Sequence, residues 1–237
     1  MTLADIDVAV LAGGLGTRLR DVLPDTPKVL APVGGKPFLE HLLGWLQWQG
    51  VRRVVLCLGY RAGAVHRFLD QRSFPPLEIK VLTEPEPLGT GGALAYALPF
   101  LTSDPVMVMN GDTIVEADLN AFLMDYRSSR AEASILCVQV ENAGRYGRLE
   151  IDADRRVIRF AEKDPSAVDL SWINGGTYLF GRPILRQVAS LDKGSLERDI
   201  LAQTPAGRIR AFPTAGRFLD IGTPETLAIA KEVLAQL

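Results

Sequence analysis

Short apolar runs alternate with amphipathic stretches through the first half of this 237-residue chain. Four of the runs have the length and composition of buried strands, and they lie near residues 7–12, 53–58, 78–83 and 105–109. The stretches between them are predicted to be helices. Because strands that alternate with helices usually form parallel sheets joined by right-handed crossovers, we predict such a sheet here.

Two of the intervening helices have clear signals. The first is predicted over residues 36–49, with Pro37 at its first helical position and with Trp45 and Trp48 as packing residues. A second helix is predicted at about 62–71. Both predictions depend on local spacing alone.

The pattern changes after residue 130. Residues 133–140 and 148–151 alternate between apolar and polar, and a turn at 152–155 leads into another apolar run at 157–161. The remaining predicted elements are a strand at 176–180, a helix at 195–203, a strand at 208–212 and a closing helix from Pro224. We therefore predict an α/β fold with a Rossmann-like mixed, mostly parallel sheet flanked by helices, and a small antiparallel insertion.

Composition narrows the class of protein. With 47% apolar residues the chain can form a substantial core, and we expect one domain over residues 1–237. The formal net charge of -2 gives no overall attraction to nucleic acid or to anionic membranes. Cys57 and Cys137 lie in apolar runs and are expected to be reduced core thiols. Neither a signal segment nor a membrane span is recognised, so a cytoplasmic location is expected.

A glycine-rich loop follows the first predicted strand. It consists of Leu11, Ala12, Gly13, Gly14, Leu15, Gly16, Thr17, Arg18 and Leu19, and Pro27 and Lys28 come shortly after it. Glycines allow backbone N–H groups to approach an anion, and Arg18 and Lys28 add two positive charges, which predicts a phosphate site. Leu19 stands where a dinucleotide fingerprint needs glycine, and no glycine precedes Lys28 as in a Walker A loop. A plain strand-to-loop turn is the structural alternative.

Two aspartates follow apolar runs. Asp112 comes directly after the strand near 105–109, and Asp220 precedes the start of the closing helix. Carboxylates at the carboxyl ends of sheet strands suit Mg2+, which binds hard oxygen ligands beside substrate phosphates. Each aspartate has a structural alternative, as a turn residue or as a helix cap.

A second glycine-rich segment runs from Glu84 to Ala93. It ends a strand and begins a helix, its glycines offer a flat surface to a planar base, and N–H groups near Thr90 are free at the helix start. A carboxylate at Glu84 or Glu86 could accept two hydrogen bonds from guanine, which favours GTP. A proline-punctuated loop is the structural alternative.

These motifs together resemble the sugar-1-phosphate nucleotidyltransferases, whose signature is Gly-Gly-x-Gly-Thr-Arg-Leu followed by Pro-Lys-Pro. Here Val29 replaces the second proline. The resemblance implies the nucleotide-diphospho-sugar transferase fold, with Asp112 and Asp220 as Mg2+ ligands and the loop from Glu84 in contact with the base. The implied nucleotide-binding residues are Leu11, Ala12, Gly13, Gly14, Gly16, Thr17, Glu84, Pro87, Gly89 and Thr90.

The resemblance also implies an acceptor site in the second half of the chain. The implied sugar-phosphate-binding residues are Asn110, Tyr146, Gly147, Glu162, Lys163, Asn174, Gly175 and Thr177. Lys163 would bind the phosphate of the sugar. Asp164 and Gly175 depart from the family pattern, where proline and alanine are frequent. Arg145 or Arg148 could add further phosphate contacts, although each is expected to be a solvated surface residue.

The implied reaction joins a sugar 1-phosphate to a nucleoside triphosphate and releases pyrophosphate. Arg18 and Lys28 are the implied catalytic residues, on the triphosphate, and no general base is needed because the attacking phosphate is already ionised. The nucleotide part is expected over about 1–130 and the sugar-phosphate part over about 131–225. Oligomeric state is open, with a homo-oligomer as one alternative.

Within the family the chain is most similar to the D-glycero-α-D-manno-heptose 1-phosphate guanylyltransferases. Mannose-1-phosphate guanylyltransferases and N-acetylmuramate-1-phosphate uridylyltransferases are the alternatives. A catalytically silent nucleotide-sugar sensor is an alternative of another class, although the retained charged residues speak against it. An NAD-dependent oxidoreductase is disfavoured by Leu19 and by the absence of an acidic residue after the strand at 53–58.

Overall fold

A computed structural model describes residues 1–141, 143–161 and 169–235. Within these residues the α-helices are α1 (Phe38–Trp48), α2 (Ala62–Asp70), α3 (Gly89–Ala97), α4 (Leu119–Ser128), α5 (Arg182–Val188) and α6 (Pro224–Leu234). The strands are β1 (Asp7–Ala12), β2 (Pro32–Val33), β3 (Lys36–Pro37), β4 (Arg53–Leu58), β5 (Glu78–Thr83), β6 (Val106–Asn110), β7 (Thr113–Val115), β8 (Ala133–Val140), β9 (Arg148–Ile151), β10 (Val157–Ala161), β11 (Ser171–Phe180), β12 (Ile209–Thr214) and β13 (Phe218–Asp220).

One mixed sheet organises the fold. Its strands follow the order β10-β9-β11-β6-β1-β4-β5, and β8 pairs with both β11 and β12. The β6-β1-β4-β5 part is parallel, whereas β11 runs antiparallel to β6, to β8 and to β9. The predicted mixed, mostly parallel sheet with an antiparallel insertion is confirmed.

Helices cover both faces of the parallel part. Val8 and Val10 of β1 pack into a core that includes the apolar side of α1, and Ala9 and Leu11 pack into a second core that includes α3 and α5. Burial on both faces explains why β1 is a continuous apolar run. Burial on both faces also explains why β8 lacks the predicted alternation of buried and exposed residues. Residues 133–138 of this strand are all buried.

Three local predictions are wrong. Pro37 is the N-cap of α1 and pairs with Pro32 in the β2–β3 ladder, so the helix begins one residue later. Trp48 is 78% exposed, although Trp45 does pack against the core. The predicted helix at 195–203 is a π-helical turn at Leu196–Ile200 followed by a 3-10 turn at Leu201–Gln203.

The cysteines behave as predicted. Cys57 and Cys137 are buried free thiols, and burial raises the pKa of each to about 12. Among the described helices, none is long and apolar enough to cross a membrane.

Candidate active site

Two cavities meet at the carboxyl ends of the parallel strands. One has a volume of about 380 Å3 and the other about 450 Å3, and Asn110 and Asp112 line both. Open α/β sheets bind ligands at this edge. Asp112 therefore borders the space available to two separate ligands.

The smaller cavity contains most of the residues predicted to bind the nucleotide. Its lining includes Leu11, Ala12, Gly13, Gly14, Lys28, Glu84, Pro87, Gly89 and Thr90. Gly16 and Thr17 line neither cavity. Gly16 has φ +59°, in the left-handed region that favours glycine, at the turn after the loop. We call this space the nucleotide cavity.

Glycine at position 13 makes room for a carboxylate. A Cβ added to Gly13 would overlap Oε1 of Glu84. The other oxygen, Oε2, accepts a hydrogen bond from the backbone N–H of Leu88 at 3.0 Å. Burial raises the pKa of Glu84, while the bond from Leu88 opposes that rise. Glu84 is therefore held against the glycine loop, whereas Glu86 is exposed and is not among the lining residues.

The glycines of the segment from Glu84 to Ala93 serve mainly to dock another part of the chain. A Cβ on Gly89 would overlap the carbonyl oxygen of Gly194, and one on Gly92 would lie 2.9 Å from that of Asp192. The predicted flat surface for a base is therefore wrong for Gly91 and Gly92, which are buried against residues 191–196. Gly89 does line the nucleotide cavity.

The hydroxyl of Thr90 is already engaged. It donates to Oε2 of Glu197 at 3.0 Å and accepts from the backbone N–H of Leu196 at 2.8 Å. Thr90 consequently anchors the start of α3 to the π-helical turn. Glu197 lines the larger cavity, so this contact links the two sides of the site.

The fold brings the two predicted metal-binding aspartates together. In the β7–β13 ladder Asp220 pairs with Thr113, and the N–H of Ile221 donates to the carbonyl oxygen of Asp112 at 3.0 Å. Lys28 donates a hydrogen bond to Oδ2 of Asp112. Burial alone would raise the pKa of Asp112, but the Lys28 ammonium and the Thr113 hydroxyl outweigh it and the pKa lies below its ordinary value.

Asp220 is held by three donors. Its Oδ1 accepts from the N–H of Gly222 at 2.5 Å, and its Oδ2 accepts from Arg145 at 2.7 Å and from the Tyr146 hydroxyl at 3.0 Å. Burial, followed by the Asp220 charge, raises the pKa of Tyr146 above its ordinary value. The expectation that Arg145 is a solvated surface residue is wrong, since its side chain is only 35% exposed and forms an ion pair.

The larger cavity contains part of the predicted sugar-phosphate site, and we call it the acceptor cavity. Asn110, Tyr146, Gly147 and Asn174 line it, and so does Arg18. Arg18 is thus placed beside the acceptor cavity rather than the nucleotide cavity. Glu162 and Lys163 lie outside the described residues.

Two predicted acceptor residues lie behind the cavity wall. A Cβ on Gly175 would lie 2.7 Å from the carbonyl oxygen of Leu136, and Thr177 is 2% exposed and pairs with Met109. Neither is among the residues that line the cavities. The departure from alanine at Gly175 therefore relieves a contact with β8.

Sequence reasoning missed the residues that the π-helical turn contributes. Ser195, Glu197 and Arg198 line the acceptor cavity. The Asn174 amide donates to the Tyr178 hydroxyl at 2.6 Å, and burial together with the Glu197 carboxylate raises the pKa of Tyr178 well above its ordinary value. The local pattern around Ser195 resembles any helix start, so no sequence signal distinguishes these residues.

The donor set at the junction of the cavities suits Mg2+. Asp112 and Asp220 offer carboxylate oxygens, and Mg2+ commonly uses one or two protein carboxylates and completes its shell with water and substrate phosphates. Within residues 1–141, 143–161 and 169–235, no group of three or more His, Cys, Asp or Glu side chains could hold a metal ion. A metal held by Asp112 and Asp220 would therefore take its remaining ligands from water or from substrate phosphates.

The sequence matches a known family over nearly its whole length. The family model described as nucleotidyl transferase matches residues 8–236. The chain belongs to this family. Its fold and the paired cavities agree with that membership.

Several relatives carry more specific names. The chain is 35% identical over 216 residues to the D-glycero-alpha-D-manno-heptose 1-phosphate guanylyltransferase of Campylobacter jejuni, covering 91% of this chain and 94% of the relative. It is 33% identical to the enzyme of that name from Aneurinibacillus thermoaerophilus, covering 97% and 98%. It is 35% identical to the mannose-1-phosphate guanylyltransferase of Mycobacterium tuberculosis, covering 95% of this chain but only 63% of that protein's length.

Solved structures are also similar to this chain. HddC from Yersinia pseudotuberculosis complexed with GMP-PN is 37% identical, with a TM-score of 0.84 and coverage of 96% of this chain and 98% of that chain. A putative glucose-1-phosphate thymidylyltransferase from Bacillus anthracis, at 23% identity and a TM-score of 0.83, shares the fold. The prediction that this chain is a sugar-1-phosphate nucleotidyltransferase is confirmed by the family and by its guanylyltransferase relatives.

Proposed function

We propose that this enzyme transfers the guanylyl group of GTP to D-glycero-α-D-manno-heptose 1-phosphate and releases pyrophosphate. The observation that carries the proposal is the pair of cavities that meet at Asp112, one lined by the glycine loop and the other by Tyr146, Gly147 and Asn174. This geometry lets two phosphate-bearing substrates approach one carboxylate. Relatives named for this reaction match almost end to end.

The reaction needs two anions to approach each other. Two unit charges 4 Å apart repel by about 4 kcal/mol at an effective dielectric constant of 20. Lys28 and Arg18 supply positive charge from the described residues, and Lys163 is proposed to supply it at the sugar phosphate. Asp112 and Asp220 would hold Mg2+, which would supply further positive charge to the phosphates.

In the proposed reaction, an oxygen of the sugar 1-phosphate attacks the α-phosphorus of GTP in line. A new phosphorus–oxygen bond forms as the bond to pyrophosphate breaks. Lys28 is proposed to stabilise the charge that develops at the α-phosphoryl group, since it lines the nucleotide cavity and contacts Asp112. No side chain has to remove a proton, because the attacking phosphate is already ionised.

Glu84 is the proposed guanine-reading residue. Its carboxylate lies against Gly13 in the nucleotide cavity, where it can accept hydrogen bonds from N1–H and from the exocyclic amine of guanine. Uracil offers no such pair of donors. Glu84→Gln should therefore reduce kcat/KM for GTP by more than tenfold and change that for UTP little, and an equal loss for both nucleotides would contradict the assignment.

The decisive experiment is a matrix of GTP, ATP, UTP, CTP and dTTP against several sugar 1-phosphates, scored by pyrophosphate release with Mg2+ and with EDTA. We expect GTP with the heptose 1-phosphate to be the best pair. Better turnover with mannose 1-phosphate would favour the alternative that the M. tuberculosis relative suggests. No pyrophosphate in any combination would favour the catalytically silent sensor.

A further inference from the structure

Each of the two aspartates at the junction of the cavities forms an ion pair with a basic side chain, and the two basic side chains line different cavities. Lys28, which lines the nucleotide cavity, hydrogen-bonds to Asp112. Arg145, which lines the acceptor cavity, donates to Asp220 at 2.7 Å. The two carboxylates and the two cations sum to zero charge before any ligand enters.

Arg145 is held in place by its neighbours as well as by Asp220. Its guanidinium carbon lies 4.9 Å from the ring centre of Tyr146, and Tyr146 itself donates to the same oxygen of Asp220. The Tyr146 ring packs edge-on against Phe218 at 5.2 Å, which ties the turn that carries Arg145 to β13. The Arg145 side chain is nevertheless 35% exposed and lines the acceptor cavity, so it has room to move.

A divalent cation at these carboxylates would compete with both side chains for the same oxygens. It would leave Lys28 and Arg145 as two surplus positive charges, one facing each cavity. A planar guanidinium suits the oxygens of a phosphate monoester, which it can bind through two parallel hydrogen bonds. A phosphate monoester that enters the acceptor cavity would therefore find Arg145 released from Asp220 and free to bind it.

We propose that Arg145 occupies Asp220 in the free enzyme and moves to the phosphate of the sugar 1-phosphate when the divalent cation binds. This inference rests on the proposed function, because it uses the acceptor phosphate and the metal ligands assigned there. The metal and the acceptor would then bind cooperatively. Metal binding releases Arg145 from Asp220 for the phosphate, and a phosphate that binds Arg145 leaves Asp220 free for the metal.

Binding of Mn2+ to the protein alone tests the first half of the proposal. Free Mn2+ is measured by electron paramagnetic resonance in the absence of nucleotide and sugar. Arg145→Met should bind Mn2+ about two to five times more tightly than the wild type, since a partly exposed ion pair of ordinary strength no longer competes. Asp220→Asn should bind it at least tenfold more weakly. Arg159→Met is the matched control, because it removes the same charge from a surface pair with Glu150, and should leave the affinity unchanged.

Steady-state kinetics test the second half. Arg145→Met should raise the KM for the best sugar 1-phosphate of the matrix at least tenfold, with less than a twofold change in the KM for the nucleotide. Arg145→Lys keeps the charge without the planar fork, so it should retain wild-type Mn2+ affinity within about twofold and still show a raised acceptor KM.

The outcomes separate this inference from the proposed function. If Asp220→Asn binds Mn2+ more weakly but Arg145→Met binds it with unchanged affinity, the metal does not compete with Arg145 for Asp220, and Asp220 keeps its assignment as a metal ligand. Undiminished Mn2+ binding by Asp220→Asn would overturn the metal site itself. Tighter Mn2+ binding by Arg145→Met with an unchanged acceptor KM would overturn the transfer of Arg145 to the phosphate.

Discussion

Asp112→Asn is the substitution that tests the centre of the site most directly. The change removes one negative charge and keeps the shape of the side chain. In the folded protein Lys28 donates a hydrogen bond to Asp112, and the two side chains are 13% and 32% exposed. The amide oxygen of the introduced asparagine could still accept that bond, so the ammonium would lose a charged acceptor rather than every acceptor.

The expected effect on stability follows from that contact. Hydrogen bonds contribute about 0.5–1.5 kcal/mol between neutral groups and about 1.5–3 kcal/mol when a charged group takes part. The variant keeps the charged donor and loses only the charged acceptor, so the loss is a part of that range. We therefore expect Asp112→Asn to lower the free energy of unfolding by about 1–2 kcal/mol, which for a chain of this size lowers Tm by roughly 2–8 °C. The protein should remain folded at room temperature.

The expected effect on activity is much larger. Mutation of residues that merely support metal ligands costs about 10–100-fold in metal affinity or activity. Loss of a proposed ligand that also faces both cavities should lower kcat by more than about 100-fold. Pyrophosphate release at saturating substrates measures kcat, and urea denaturation measures stability.

Asp118→Asn is the matched control, because the same change falls on the N-cap of α4, where Asp118 accepts from the N–H groups of Asn120 and Ala121. Asparagine caps a helix about as well as aspartate. The control should keep wild-type stability and turnover. If Asp112→Asn retained a third or more of wild-type kcat at saturating Mg2+, Asp112 would not be a metal ligand; unfolding at room temperature would show that its role is structural.

Three further predictions concern the base loop, the acceptor site and acid stability. Gly13→Ala places a Cβ against Oε1 of Glu84 and should raise the KM for GTP about tenfold, whereas Gly44→Ala on α1, with open space around it, should not; equal effects would refute the steric argument. Lys163→Ala should chiefly raise the KM for the sugar phosphate, and a change confined to the nucleotide KM would contradict its assignment. Burial would raise the pKa of Asp7, but hydrogen bonds from Ser103 and Thr102 and the ion pair with Arg53 lower that pKa below 3.8. The ionised Asp7 therefore stabilises the fold above pH 3.8, and this stabilisation is lost as the pH falls through the folded-state pKa. Asp7→Asn should therefore be less stable than the wild type at pH 7 in urea denaturation, with a gap that closes toward pH 2; a gap independent of pH would be inconsistent with this linkage.

Local patterns were sufficient for the parallel part of the sheet. The strands β1 and β4 lie where their apolar runs predicted, because strands buried on both faces need continuous apolar sequence. The edge strand β5 also lies where it was predicted, although only Leu82 of its six residues is buried. The two-residue strands β2 and β3 and the three-residue strands β7 and β13 were not predicted, because so short a segment carries no periodicity. Trp48 shows the limit of helical spacing, since nothing in the described structure packs over it enough to bury it.

The sequence by itself determined the family, the order of the phosphate-binding and acidic motifs, and the alternation of strands and helices, because each of these is encoded within a few neighbouring residues. Only the tertiary structure decided that β13 lies against β7 and sets Asp220 beside Asp112, that Gly89 and Gly92 make room for residues 192–194, and that Arg145 reaches Asp220. Those contacts join residues far apart along the chain. Their partners are chosen by packing of the whole fold, which no local window of sequence contains.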